Sequence, residues 1–326
     1  MSDSAPVPRF PATARLGLGL AALGRPGYIN LGHSSDLEGR RDVEALRAQA
    51  LAVLDAAYAT GVRDFDAARS YGLAEEFLAD WLSSRRLGPD AVSVGSKWGY
   101  TYTADWQVHA DHHEGKEHSQ ANFARQWPQS RELLGDWLTV YLAHSVTPDS
   151  SLLSDAALLE RLARLRQLGV VPGLSLSGPA QSEVLLRALD LQVGGQPVFG
   201  AVQATWNLLE PSVGPALQLA AQAGWKIYIK EAVANGRLTV RGEPLPLALL
   251  TICRAHGATP DAVALAAALA QPFAGVVLSG ASTVPQLESN LAARHIGLSL
   301  AELDELTTLA EEPKGYWQTR AALSWN

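Results

Sequence analysis

Short apolar segments alternate with longer Ala- and Leu-rich segments along the 326 residues of the chain. Eight of the short segments have the composition of buried strands: Arg15–Leu20, Val62–Ala68, Ala91–Trp98, Thr139–Ser145, Val171–Ser177, Ala201–Asn207, Lys226–Ala232 and Gly275–Ser279. Segments with helical spacing lie between and after them: Val43–Ala59, Ala74–Ser84, Gln120–Asp136, Leu152–Leu168, Gln181–Leu191, Val213–Ala223, Asp261–Ala270 and Val284–Ala293. Repeated strand and helix units of this kind are typical of a parallel sheet with helices packed on it.

No Pro-, Ser- or Gly-rich linker separates these units, so the sequence predicts an α/β fold in which residues 1–326 form a single (β/α)8 TIM barrel domain. A doubly wound sheet with an appendage is the alternative. The segment after the eighth unit is expected to add a C-terminal helical extension. The longest interruption, Gly99 to Gln129, follows the third strand and is rich in Trp, His and acidic residues. Because the functional residues of a barrel lie at the carboxyl ends of its strands, this segment is interpreted as an active-site loop.

The charge balance argues against a polyanionic partner. The chain has 26 Lys and Arg residues against 33 Asp and Glu residues, a net charge of −7, whereas nucleic acids and anionic membranes select basic surfaces. Cys253 is the only cysteine, so no intramolecular disulfide can form. Met1–Arg9 lacks the pattern of a secretory signal, and no apolar segment approaches the roughly 20 residues needed to span a bilayer. We therefore expect a cytoplasmic protein.

Four ionisable side chains of different types follow the predicted strands. Asp66 lies near the carboxyl end of the second strand and Tyr71 a few residues beyond it, while Lys97 and His144 lie near the carboxyl ends of the third and fourth strands. Tyrosine is a weak acid at neutral pH, but a nearby ammonium group, here that of Lys97, is expected to lower its pKa. Asp66 would keep Lys97 charged and oriented, and a neutral His144 would donate a hydrogen bond to a carbonyl oxygen that Tyr71 protonates. Asp66 and Lys97 could instead form an ordinary structural ion pair.

Several blocks of sequence surround these four positions: Phe65-Asp66-Ala67-Ala68-Arg69-Ser70-Tyr71-Gly72-Leu73-Ala74-Glu75, Ser96-Lys97, Leu142-Ala143-His144, Gly173-Leu174-Ser175, Val202 to Leu208 and Ser279 to Asn290. Together they resemble the aldo-keto reductase family, and the resemblance runs from about Arg15 to Ala293. It implies a barrel oxidoreductase that binds an extended NADP(H) without a Gly-rich Rossmann loop. It also implies that the cofactor delivers hydride to an aldehyde or ketone while Tyr71 delivers the proton.

The resemblance assigns cofactor contacts to Gly19, Leu20, Ser175, Gln203, Lys230, Glu231, Ala232, Gly280, Ser282, Gln286 and Asn290. It places Trp98, Tyr100 and Trp206 in the substrate pocket. NADP(H) rather than NAD(H) is expected, although Gln286 stands where many members have an arginine for the 2′-phosphate. Lys230 stands where an aromatic ring usually stacks on the nicotinamide. This lysine could be neutralised by Glu231, or it could reach a phosphate or a carboxylated substrate.

The long loop contains a group of potential metal ligands: His109, Asp111, His112, His113, Glu114, Glu117 and His118. The pairs His109–His113 and Glu114–His118 have the i, i+4 spacing of ligands on one helical face. No fixed zinc signature is present, so we expect a solvated loop at the substrate entrance and no metal.

Two other classes of function are compatible with the same residues. A lyase or isomerase would form a Schiff base on Lys97 or Lys230, and borohydride would then trap substrate on a lysine. A non-catalytic module would bind a nicotinamide cofactor without turnover. For the reductase, the expected partner is a small carbonyl or alcohol substrate, with neither nucleic acid nor membrane, and the expected assembly is a monomer or a homodimer.

Overall fold

A computed structural model describes residues 15–326 of the chain. Residues 1–14, which include the Met1–Arg9 segment considered above, lie outside the described residues. Eight parallel strands form a closed barrel: β1 (Arg15–Gly19), β2 (Asp64–Asp66), β3 (Ser93–Trp98), β4 (Leu138–Val146), β5 (Val171–Leu176), β6 (Ala201–Thr205), β7 (Lys226–Lys230) and β8 (Val276–Ser279). Each strand pairs with the next along the chain, and β8 closes on β1 with Arg15 opposite Val276. The predicted TIM barrel is therefore confirmed.

Twelve α-helices surround the barrel within residues 15–326: α1 (His33–Asp36), α2 (Val43–Ala59), α3 (Ala74–Ser84), α4 (Gln120–Leu134), α5 (Ala156–Ala163), α6 (Gln181–Leu189), α7 (Gly214–Gln222), α8 (Leu247–His256), α9 (Pro260–Leu269), α10 (Val284–Leu291), α11 (Leu300–Thr307) and α12 (Pro313–Ala321). The bounds of α2 and α3 are those predicted. The predicted helix Leu152–Leu168 is shorter, because its last five residues tighten into a 3-10 turn that ends at the left-handed Gly169.

Strand β2 is shorter than its predicted span of Val62–Ala68. The backbone amides of Ala67 and Arg69 still donate to carbonyls of β3, those of Gly95 and Lys97. The carbonyl of Ala67, however, accepts from the side chain of Lys97 at 2.9 Å instead of from a strand amide. The regular pairing therefore ends at Asp66, and the chain turns toward α3 at the rim of the barrel.

Alternating side chains separate the two parts of the core. In β4, Val140 and Leu142 belong to a small cluster with residues of other strands, completed by Ala201, Tyr228, Val276 and Leu278. The neighbouring Tyr141 and Ala143 belong to the large cluster that also contains the buried faces of the helices. Because successive side chains of a strand point to opposite faces, the first set fills the barrel and the second packs it against the helices.

Two features close over the carboxyl ends of the strands. The loop after β3 forms a short antiparallel hairpin, Tyr100–Tyr102 with Glu114–Lys116. The chain after α12 then returns to the loop after β1, where Tyr28 and Asn326 exchange two backbone hydrogen bonds of 3.2 and 3.1 Å. Trp325 stacks flat on His113 of the hairpin loop, with ring centroids 3.9 Å apart. None of the helices described in residues 15–326 is long and apolar enough to cross a bilayer.

Candidate active site

A cavity of about 580 Å³ lies at the carboxyl ends of the strands, within the size range of small-molecule sites. Asp66, Tyr71 and His144 line it. Lys97 lies beneath the wall, fully buried, and donates to Asp66 Oδ2 at 2.6 Å and to the carbonyl of Ala67 at 2.9 Å. The structure thus brings together all four of the side chains that the sequence singled out.

Tyr71 and His144 meet in this wall. The Tyr71 Oη atom lies 3.5 Å from His144 Nε2, and His144 Nδ1 lies 3.3 Å from the Ser70 hydroxyl. Burial, together with the ammonium groups of Lys97 and Lys230, holds the pKa of His144 well below its usual value. The ring is therefore neutral at physiological pH, and when Ser70 donates to Nδ1, Nε2 carries the N–H that faces the cavity.

The ionisation of Tyr71 differs from the expectation. Burial, followed by the negative charge of Asp66, raises the pKa of Tyr71 well above its usual value. The Lys97 ammonium does lie over the Tyr71 ring, 4.6 Å from its centroid, but its charge is matched by Asp66 at 2.6 Å. The expectation of a lowered pKa for Tyr71 is therefore wrong, because burial and Asp66 outweigh the nearby cations, and Tyr71 remains protonated at neutral pH.

Arg25 is a buried cation that sequence reasoning missed. Its guanidinium carbon lies 5.1 Å from the ring centroids of Tyr28 and Tyr71 and 4.7 Å from that of Trp325. The Nη1 atom donates to the backbone carbonyl of Ser70 at 3.1 Å and to the Glu114 carboxylate at 2.7 Å. Arg25 therefore joins the hairpin, the C-terminal segment and the Tyr71 ring, and its charge favours the phenolate of Tyr71.

The aromatic residues predicted for the pocket divide into two groups. Tyr100 lines the cavity beside His144, with ring centroids 5.0 Å apart. Trp98 does not: it is fully buried on the outer side of β3 and packs on Phe123. Trp206 packs on Phe273 and lines a separate cleft. The structure therefore corrects the placement of both tryptophans.

Trp325 is the tryptophan that lines the cavity. Trp98 immediately follows Lys97, which points inward, and the strand alternation carries the next side chain to the helix side. This alternation is a sequence signal that Trp98 lies outside the pocket. Trp325 carries no such local signal, because a contact with His113 brings it back over the barrel.

Most of the predicted cofactor-contacting residues line the same cavity: Gly19, Gln203, Lys230, Glu231, Ala232, Gly280, Gln286 and Asn290. Three do not and are buried behind its wall. Leu20 belongs to the core, and Ser175 Oγ accepts from the backbone amide of Ser145 at 3.3 Å. Ser282 donates from its backbone amide to Gln286 Oε1 at 2.9 Å. These three residues support the wall from behind, which corrects the prediction that they contact the cofactor directly.

One end of the cavity is crossed by an ion pair. Arg241, from the segment between β7 and α8, forms two hydrogen bonds with the Asp36 carboxylate of α1. Arg241 also donates to the carbonyl of Leu31 at 2.9 Å. Burial would raise the pKa of Asp36, but the hydrogen bonds from Arg241 and Gln286 and the charge of Arg241 together outweigh it, and the pKa is lowered. Gln286 and Asn290 of α10 line the same end of the cavity.

The other end carries a charged cluster at the end of β7. Arg320 of α12 binds Glu231 through two hydrogen bonds of 2.7 and 2.5 Å. Lys230 Nζ lies 3.7 Å from Glu231 Oε1. Burial lowers the pKa of Lys230 to about 8, although Glu231 opposes the shift. Burial would raise the pKa of Glu231, but Arg320 and Lys230 lower it to about 2.

A model of the Aldo/keto reductase family matches residues 15–311. The chain belongs to this family. Among its relatives, "Aldo-keto reductase str7" of Strobilurus tenacellus is 26% identical over 328 residues, covering 90% of this chain and 87% of that protein. "D-threo-aldose 1-dehydrogenase" of Pseudomonas sp is 28% identical over 337 residues, covering 90% and 96%. The holo form of aldo-keto reductase AKR11C1 from Bacillus halodurans matches the fold with a TM-score of 0.66, 21% identity and coverage of 92% and 93%.

An aldo-keto reductase is an oxidoreductase that uses a nicotinamide cofactor to act on carbonyl or alcohol groups. The residues that line the cavity of this chain fit a nicotinamide cofactor. Gln203 Nε2 is buried in the cavity wall without a hydrogen-bond partner among residues 15–326. A buried amide donor of this kind costs free energy unless an acceptor meets it, and the carboxamide oxygen of a nicotinamide is such an acceptor. Gly280 and Asn290 also line the cavity, where they contribute a backbone segment and a side-chain amide.

The His-rich loop of this aldo-keto reductase forms no metal cluster in the described part of the chain, where no group of three or more His, Cys, Asp or Glu side chains has ligand geometry. His113 instead donates a hydrogen bond from Nε2 to the carbonyl of Val108, 2.9 Å away, and stacks on Trp325. His118 is buried between Ser150 Oγ and the carbonyl of His144, each 2.8 Å from a ring nitrogen. These two histidines hold the loop against the barrel.

Proposed function

We propose that this aldo-keto reductase reduces an aldehyde or a ketone to an alcohol, with Tyr71 as the general acid and, in reverse, the general base. The observation that carries the proposal is the wall of the cavity itself. Tyr71 Oη and His144 Nε2 lie 3.5 Å apart, above the buried Lys97–Asp66 pair. Two polar atoms so placed can both reach one carbonyl oxygen.

Each of these residues would have a distinct role in the reaction. Neutral His144 donates a hydrogen bond that orients and polarises the substrate carbonyl, and Tyr71 donates the proton that the new alkoxide requires. The cofactor, when bound, supplies the hydride. Because the pKa of Tyr71 is raised, its hydroxyl holds that proton at neutral pH. Arg25 and Lys97 both lie over the Tyr71 ring and stabilise the negative charge that develops as the proton leaves.

We further propose that NADP(H) is the preferred cofactor. Gln286 replaces the expected arginine, but Arg241 supplies a cation at the same end of the cavity. The alternative, NAD(H), is favoured by the carboxylates of Asp36 and Asp261 in that wall, because a carboxylate can accept hydrogen bonds from an unmodified ribose. Gln286 also hydrogen-bonds Asp36, whose partner is Arg241, so the cation that would favour NADPH and the carboxylate that would favour NADH belong to the same ion pair.

The Schiff-base alternative is narrowed to one lysine. Lys97 does not line the cavity and its ammonium is engaged by Asp66 and Ala67. Lys230 does line the cavity, and its pKa of about 8 leaves part of it as free amine at neutral pH. Borohydride trapping of substrate on Lys230 would support the lyase, whereas the reductase leaves this residue unmodified.

The test is the Tyr71→Phe variant, compared with Tyr102→Phe, which changes a hairpin tyrosine outside the cavity. NADPH and NADH are titrated separately against each variant, following quenching of tryptophan fluorescence, to which Trp325 in the cavity wall contributes. Tyr71→Phe should bind the cofactor within a few-fold of the parent and lose turnover by about 10²–10⁴-fold, the usual contribution of a general acid. Tyr102→Phe should change neither property.

Turnover that survives in Tyr71→Phe would refute the role of Tyr71. Failure of the parent protein to bind either nucleotide at millimolar concentration would refute the reductase proposal as a whole. Binding of a nucleotide without turnover of any carbonyl compound would support the non-catalytic module instead.

A further inference from the structure

Most of the charged side chains around the cavity form matched pairs, and the exceptions are Lys230 and the carboxylate of Asp261, which accepts from Ser289. Four cations each have a carboxylate within hydrogen-bond distance: Arg25 with Glu114, Lys97 with Asp66, Arg241 with Asp36 and Arg320 with Glu231. Lys230 lies 3.7 Å from its nearest carboxylate oxygen, Glu231 Oε1, and that oxygen already accepts from Arg320. The cluster of Lys230, Glu231 and Arg320 therefore carries one net positive charge.

This excess charge lies at the reacting end of the cavity. Lys230 is the last residue of β7, opposite Thr205 of β6, and it lines the same wall as Tyr71 and His144. Its ammonium is close enough to His144 to contribute to the lowered pKa of that ring. The Arg241 end of the cavity, in contrast, holds two carboxylates, those of Asp36 and Asp261.

We propose that Lys230 binds an anionic group of the carbonyl substrate, a carboxylate or a phosphate, and so selects anionic aldehydes or ketones over neutral ones. The inference rests on the proposed reductase function. A lysine is suited to this task because its ammonium is a compact charge with three donors on a flexible stem. The side chain is 15% exposed and lines the cavity, so it can contact a ligand there.

The electrostatics of the cluster add a pH dependence. Burial and the nearby cations Arg320 and Lys97 lower the pKa of Lys230 to about 8, against the opposing effect of Glu231. An anion bound to the ammonium stabilises its charged form. The KM for an anionic substrate should therefore rise as the pH increases above 8, while the KM for a neutral substrate should not.

The experiment compares 4-carboxybenzaldehyde with its uncharged methyl ester, methyl 4-formylbenzoate. Turnover is measured with NADPH, and binding of each aldehyde to the protein is measured separately by calorimetry. The parent should bind and reduce the carboxylate better than the ester. At saturating NADPH, Lys230→Met should lower the preference for the carboxylate over the ester, taken as the ratio of their Kd values and of their KM values, by about 10–100-fold, the usual range for a charged hydrogen bond.

Two further variants separate charge from fold. Lys230→Arg keeps the positive charge and should retain most of the preference for the carboxylate. Lys226→Met removes a lysine from the opposite end of the same strand, outside the cavity, and should leave the ratio of carboxylate to ester unchanged. A loss of the preference in Lys226→Met would show that any perturbation of β7 suffices, which would overturn the inference.

The remaining outcomes are equally decisive. Equal affinities for carboxylate and ester in parent and Lys230→Met would overturn the proposal. If Lys230→Met instead weakens NADPH binding and affects both aldehydes equally, the anion is a phosphate of the cofactor, and the proposal is wrong about the source. Borohydride trapping on Lys230 would assign the residue to covalent chemistry. If the parent protein binds no nicotinamide cofactor, the proposed reductase function fails. Calorimetry with the two aldehydes would still show whether Lys230 binds an anion, so the two failures can be told apart.

Discussion

Breaking the Lys97–Asp66 pair should destabilise the protein far more than breaking a surface pair of the same length. Both side chains are buried, and Lys97 Nζ lies 2.6 Å from Asp66 Oδ2. At an effective dielectric constant of about 20, two unit charges at 2.6 Å attract by about 6 kcal/mol, much of which only offsets desolvation. Lys97→Met leaves the Asp66 charge buried without its partner, and we expect a loss of about 3–5 kcal/mol in the free energy of unfolding.

The matched control is Arg85→Met. Arg85 and Asp55 also lie 2.6 Å apart, but both side chains are more than 40% exposed. An exposed pair of this kind contributes little to stability, so the control should lose far less stability than Lys97→Met. The double variant Asp66→Leu/Lys97→Met removes both charges and should recover most of the loss, giving a coupling free energy of at least about 3 kcal/mol.

Urea unfolding of the four proteins measures these values, and turnover is measured on the same samples. The double variant separates the two interpretations of the pair. If it regains stability but remains inactive, Asp66 and Lys97 act in the reaction; if it regains both, the pair is only structural and the proposed mechanism fails. A loss below about 1 kcal/mol in Lys97→Met would refute the reasoning about the buried charge itself.

Two more predictions concern pH and the cofactor. Burial lowers the pKa of His33 and of His118 to about 4, so below pH 6.5 each imidazole takes up a proton when the protein unfolds. The free energy of unfolding should therefore be full above pH 6.5. Below that pH it should fall by up to about 1.4 kcal/mol per pH unit for each histidine. His33→Phe should flatten the dependence of the urea midpoint on pH between 7.5 and 5; an unchanged slope would contradict this. Gln286→Arg should shift the NADPH to NADH affinity ratio about tenfold toward NADPH in the fluorescence titration, and an unchanged ratio would place the 2′-phosphate elsewhere.

The barrel and the four proposed catalytic positions could be predicted from the sequence because both depend on local patterns. Alternating strand and helix periods specify the units, and the bounds of α2 and α3 follow from their apolar spacing alone. Asp66, Lys97 and His144 end or follow strands, and parallel strands present their carboxyl ends at one rim. Strand order is fixed by the right-handed crossovers, so residues far apart in sequence meet without any further information.

The alternation of side chains along a strand explains why one of the predicted pocket residues is wrong. Trp98 follows Lys97, and only one of two successive strand residues can face the barrel axis. Assigning both to the site contradicts the pleat, and the structure resolves the conflict by burying Trp98 against Phe123. Arg25 and Trp325 were missed for a different reason, since they reach the site through loops whose paths depend on contacts with each other and with the hairpin.

The charge distribution of the cavity shows why adjacency in sequence is a poor guide to partners. Lys230 and Glu231 are neighbours, and the sequence left open whether they neutralise each other. Glu231 has a left-handed backbone with φ of 57°, a conformation rarely adopted by non-glycine residues, and its carboxylate is bound by Arg320, 89 residues away. Because that distant arginine binds both carboxylate oxygens and Lys230 lies 3.7 Å from one of them, the single carboxylate of Glu231 faces two cations. A long-range contact of α12 thus helps to set the net charge of the cavity wall at the end of β7.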